Sequence, residues 1–86
     1  MFSNNREFYD FINSLIKKLE SVGEIYWSIE FSKAINISLM IGEVFGATRF
    51  TLKRFQETNI PSRLGIEKEI QNSIASLDKA LGSDNL

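Results

Sequence analysis

The sequence predicts an all-α domain, a compact four-helix bundle, antiparallel with short connections. Three observations carry that expectation. Apolar residues recur at three- and four-residue intervals along most of the chain, and Gly23, Gly82 and the single proline stand near the ends of those stretches. Only one stretch alternates as a strand would, so a strand there has nothing to pair with. Eighty-six residues make one domain, 1–86, small enough to bury only roughly 60% of the surface its unfolded chain exposes.

The first segment reads most directly. Phe8, Phe11, Ile12, Leu15, Ile16, Leu19 and Val22 follow the i, i+3, i+4, i+7 template, which leaves one stripe apolar and the opposite face polar. Asn4 with Glu7 three residues later forms a capping-box pattern. The Asn oxygen accepts an orphan backbone N–H, and Glu7 reaches back toward the start of the helix. Lys17 and Lys18 suit the negative end of the helix dipole, and Gly23 supplies the left-handed position that ends it.

The second segment, Glu24 to about Ile37, carries two signals. Ile25, Trp27, Ile29 and Phe31 alternate, a strand signature. As a helix, the same residues place Trp27, Phe31, Ala34, Ile35 and Ser38 on one face and Ile25 with Ile29 on the other. The want of a pairing partner favours the helix, one that is apolar on two sides.

The third segment runs from about Ile41 to Gln56, with Ile41, Val44, Phe45, Thr48, Leu52 and Phe55 as its main stripe. Gly42, Gly46 and Phe50 share the opposite side at i, i+4, i+8. Glycine weakens a helix interior by about 1 kcal/mol each time, so two in one helix call for a packing reason. Either this face packs against the second helix, or it is the surface of a homodimer or of a complex with another protein. In both cases apolar material is expected around the whole circumference of the helix.

The last segment has a narrow stripe of Ile66, Ile70, Ile74, Leu77 and Leu81, with Lys68, Glu69, Gln71, Asn72, Ser76, Asp78 and Lys79 on the other side. Pro61 suits an early helical position, with Ser62 or Asn59 as cap and Gly82 as terminator. Gly65 then falls in the first turn of one continuous helix, and about 83–86 form a frayed tail.

Composition narrows function by elimination. The chain has no Cys, which excludes disulfides, thiolate metal sites and Cys nucleophiles, and no His, which removes the commonest general base. Ten basic against eleven acidic residues give a net charge of −1, which disfavours nucleic acid as a partner. No apolar run approaches the ~20 residues that span a bilayer, and the opening Met1–Glu7 stretch has no apolar signal region. A soluble cytoplasmic protein is expected, with no membrane partner.

Few residues are candidates for chemistry. Glu43 falls near Arg54 on the polar side of the third segment, and Arg49, Lys53 and Arg54 form a small basic group. That group is either an anion or nucleic-acid site, or a solvated helix end favoured by the dipole. Glu20, Glu24, Glu30 and Glu43 lack the His partners of carboxylate metal bundles, so no metal is expected. No nucleophile elbow, P-loop or dinucleotide fingerprint occurs, and the expectation is no enzyme, no catalytic residue and no cofactor. Tyr26 and Trp27 are either core or interface anchors, since both residue types are enriched in hot spots.

The run Ile41-Gly42-Glu43-Val44-Phe45-Gly46-Ala47-Thr48-Arg49-Phe50-Thr51-Leu52, with Ile60-Pro61 and Ala80-Leu81-Gly82 beyond it, resembles a family of small bacterial all-helical proteins of uncharacterised function. The resemblance covers about the C-terminal half; members often have Pro where this chain has Ile41. It implies a bacterial cytoplasmic protein and transfers no catalytic residue.

The function expected from these readings is a non-catalytic protein–protein interaction module, bound to another protein or to itself as a homodimer. Its contact residues would be Gly42, Gly46, Phe50, Tyr26 and Trp27. A nucleic-acid-associated regulator using Arg49, Lys53 and Arg54, and a carrier of hydrophobic ligands between helices, are the alternatives.

Overall fold

The structure, a computed structural model, describes residues 2–82; the tail expected at 83–86 lies outside the described residues. All regular structure among them is helical: α1 (Asn5–Ser21), α2 (Ile25–Ile35), α3 (Ile41–Gln56), α4 (Ile60–Leu64) and α5 (Glu67–Ala80). The alternating stretch is helical too, as its lack of a pairing partner requires.

Local chemistry sets the ends of α1. Asn4 Oδ1 accepts from the Glu7 N–H at 2.9 Å, and the Glu7 carboxylate accepts in return from the Ser3 N–H at 2.8 Å, one residue earlier than the usual reciprocal bond. At the other end Gly23 takes φ +83°. There the Gly23 N–H donates to Glu20 O at 3.2 Å and the Glu24 N–H to Leu19 O at 2.8 Å, the double bond of a left-handed stop.

The last segment is not one helix, so the described residues form five helices where four were expected. Gly65 adopts φ +69°, a left-handed conformation that no continuing α-helix tolerates. Its N–H donates to Ser62 O at 3.1 Å and the Ile66 N–H to Pro61 O at 2.9 Å, which closes α4 after a single turn. Ile66, buried, then becomes the residue from which α5 starts. Pro61 sits in the first turn of α4 as expected, but neither Asn59 nor Ser62 caps through its side chain. Thr58 Oγ1 takes that place, accepting from the Ile60 N–H at 3.2 Å.

α1 packs on α2, α2 on α3, and α3 on both α4 and α5. Phe8, Ile12, Leu19, Phe31, Val44, Leu52, Phe55, Ile70 and Leu77 are fully buried between them. Each such side chain contributes roughly 1.5–3 kcal/mol of transfer free energy. Aromatic rings tie the layers together, with Phe8 edge-on to Phe45 at 4.7 Å and Phe31 edge-on to Phe55 at 5.4 Å between centroids. The Cα radius of gyration is 12.3 Å, about the ~12 Å of a globular chain this long. Two stripe residues fall outside the core: Val22 lies past the end of α1 and Leu81 past the end of α5, and both are exposed.

Four polar residues are buried as well. Ser28, Thr51 and Ser73 donate back to the carbonyls of Ile25, Ala47 and Glu69. Such local bonds satisfy a hydroxyl inside a core. Thr48, fully buried on α3, is different: its Oγ1 has no hydrogen-bond partner among the described residues.

Candidate functional site

The inner side of α3 is the predicted stripe, with Val44, Thr48, Leu52 and Phe55 buried and Ile41 and Phe45 partly so. The expectation of apolar cover all round the helix is not met within the chain. Among the described residues a Cβ added at Gly42 or Gly46 would meet nothing within 4 Å, so none of their backbone approaches either glycine. Phe50, one turn beyond Gly46, is 63% exposed. The reading in which this face packs against α2 is therefore overturned. The sides of a helix separate at 100° per residue, and α2 lies along Ala47, Thr51 and Arg54 instead.

The groove between the two helices is lined by Glu30, Lys33, Ala34 and Ile37 from the α2 side and by Ala47, Phe50, Thr51 and Arg54 from α3. Arg54 is its hub. The guanidinium donates through Nη1 to Glu30 Oε1 at 3.1 Å and through Nη2 to the Tyr26 hydroxyl at 2.8 Å. Its Cζ also lies 5.2 Å from the Trp27 ring centroid and 5.8 Å from that of Phe50, within cation–π range of both. Lys33 Nζ reaches the other Glu30 oxygen at 3.3 Å. The hydrogen bond from Arg54 holds the Glu30 carboxyl below its ordinary range, against partial burial that pushes it up, with Lys33 adding to the lowering. Glu30 and then Tyr26 in turn raise Arg54.

This arrangement separates two residues that the sequence pairs. Trp27 is partly buried, its ring 5.3 Å from Phe55 and 6.4 Å from Phe31, so it belongs mainly to the core. Tyr26 stands edge-on to it at 5.2 Å and is exposed. Glu43 does not meet Arg54, which turns to Glu30 on α2. The basic group is also divided. Arg49 is ion-paired with Asp78 of α5, Arg54 is held by Glu30, and Lys53 makes no ion pair among the described residues. Among the acidic residues, Glu24 pairs with Arg63 at 2.9 Å and Glu30 is shared by Arg54 and Lys33.

Most of the large apolar side chains exposed among the described residues lie on α2, the α2–α3 connection and α3, and two of them, Ile37 and Phe50, line the groove with Arg54. Ile25 and Ile29 on the outer arc of α2, Ile37, Leu39 and Met40 in the connection, and Phe50 on α3 are each more than half exposed. Sequence reasoning put Ile25 and Ile29 on a second face of α2 but did not join that face to Phe50. The signal was present in the alternation of residues 25–31, read as a question of helix or strand. Elsewhere the surface holds an open depression of about 460 Å³ along α5, beside Asn72, Ala75, Ser76 and Lys79, and narrower grooves. The one between α1 and α5, lined by Phe11, Leu15, Ile66 and Ile70 among others, has a volume of about 160 Å³, against the roughly 300–1,000 Å³ of small-molecule sites. Among the described residues no helix is long and apolar enough to cross a membrane.

Comparison with protein families, with curated proteins and with solved structures returns no match. The functional reading rests on this geometry.

Proposed function

We propose that this protein is a non-catalytic, cytoplasmic protein-binding module whose contact surface is the outer face shared by α2 and α3. One observation carries the reading. Ile25, Ile29, Ile37, Leu39, Met40 and Phe50 are all more than half exposed on consecutive elements, while the outward positions of α1 are polar and those of α5 are polar apart from Ala75 and Ala80. Exposed apolar surface gathered on one face marks an association site, whereas scattered residues do not. The Arg54 hub supports it, because it fixes Tyr26 and the edge of Phe50 in place before any partner arrives, and a preorganised anchor loses less entropy on binding. The titratable groups with shifted affinity, Glu30 and Arg54, satisfy each other, a structural use of charge.

A photo-crosslinking residue placed at Ile29 in the host cell tests this, with one at exposed Asn13 on α1 as the control position. A discrete covalent adduct from position 29 and none from position 13 is expected. Equal labelling at the two positions removes the proposal.

A further inference from the structure

We infer that the partner on this face is a second copy of the chain, with α3 crossing its counterpart antiparallel about a two-fold axis at the level of position 48. Phe50 of each copy then seats over the partner's Gly46, and Glu43 of each copy pairs with the partner's Lys53. The inference rests on the binding-face reading above and adds the identity and register of the occupant.

Three features of α3 lead there. The first is the unexplained glycine. Gly46 stands in the middle of a 16-residue helix, where it costs about 1 kcal/mol against alanine. Nothing among the described residues uses the space it leaves, since a Cβ there would touch none of their atoms. The second is the knob. Phe50 is exposed one turn away and would fill such a dent, and on its own helix its ring stays more than 4 Å from a Cβ at position 46.

The third is charge. Of the charged residues on α3, Arg49 and Arg54 are ion-paired within the molecule. Glu43 and Lys53 are exposed and make no ion pair among the described residues. They carry opposite signs, and ten residues of helix separate them by about 15 Å, too far to meet on their own helix. A two-fold contact is self-complementary, so residue i meets j where j meets i. Positions 46 and 50 are centred on 48, and so are 43 and 53. All four also fall within a sector of about 80° at 100° per residue. One antiparallel crossing therefore fills the dent and neutralises both unpaired charges twice over.

Sedimentation equilibrium on the full chain tests the register through charge exchange. Wild type is expected to dimerise. Glu43→Lys alone and Lys53→Glu alone place like charges across both contacts and weaken dimerisation about tenfold. An equimolar mixture of the two variants restores it, because each mixed dimer again has two opposite pairs. Neither side chain makes an ion pair in the monomer, and circular dichroism should show unchanged helicity. Wild type that stays monomeric up to millimolar concentration overturns the inference, as does a dimer indifferent to both substitutions and to mixing. If the crosslink at position 29 then joins the chain to a different protein, only the second-copy inference has failed; if position 29 gives no adduct, the binding face has failed with it.

Discussion

α1 and α2 are neighbours that look alike from inside and unlike from outside. Each contributes fully buried side chains to one core, Phe8, Ile12 and Leu19 from α1 and Phe31 from α2. Their outward positions differ in kind. α1 presents Arg6, Asp10, Asn13, Lys17 and Glu20 to solvent, while α2 presents Ile25, Tyr26 and Ile29 with a single charge, Lys33. Folding accounts for the inner faces of both. It does not account for the outer face of α2, since an exposed isoleucine contributes little to the monomer and polar residues serve α1 well in the same role. The contrast separates surface kept for the fold from surface kept for contact.

The inner faces should respond alike and strongly. Phe31→Ala should cost about 3–5 kcal/mol and Ile12→Ala about 2–5 kcal/mol, measured by urea unfolding. Small domains have only about 5–15 kcal/mol in total, so either variant should lose a large share of its stability and unfold at a clearly lower urea concentration. A mild effect at Phe31 alone would mean that α2 is docked loosely and would break the likeness. Thr48→Val tests a smaller term on the inner side of α3. With no bond to lose at Oγ1, the substitution should stabilise the chain by about 1 kcal/mol, seen as a rise in Tm.

The outer face should be nearly silent in the same assays. Ile29→Lys should leave unfolding free energy within about 0.5 kcal/mol of wild type, read in dilute solution where association is absent. A large loss would show Ile29 to be part of the fold and dissolve the contrast with α1.

The smallest effect concerns acid. The Glu30 carboxyl titrates lower in the folded chain than in the unfolded one. Its contribution is therefore fully present above the ordinary carboxylate range, near pH 4.5, and is lost as pH falls through the depressed folded value. Glu30→Gln should lower Tm slightly near neutrality and flatten the acid side of a Tm-against-pH curve, so that the two curves converge at low pH.

Much of this architecture was legible in the residues themselves. The stripe of α1, its Asn4 and Glu7 cap, its Gly23 stop, and the bounds and inner face of α3 all follow from spacing and local chemistry, which act within a turn or two. The break at Gly65 was missed because an isolated glycine between apolar residues reads equally as a weak helical position or a left-handed stop. The two differ only in how the following helix packs. Arg54 was missed as a hub for a related reason: its partners Tyr26 and Glu30 lie on another helix, and periodicity along one helix carries no information about which neighbour a long side chain will reach. The openness of Gly46 was also beyond the pattern, since spacing gave the face but not what covers it.

The position of Trp27 has a practical consequence. It is the only tryptophan in the chain, with the Phe31 and Phe55 rings on its inner side and the Arg54 guanidinium beside it at the margin of the exposed face. Its fluorescence therefore senses two events through one chromophore: a red shift in emission when the interior opens to water, and a change in intensity when a bound molecule displaces solvent around the guanidinium. A titration followed by that native signal needs no added label.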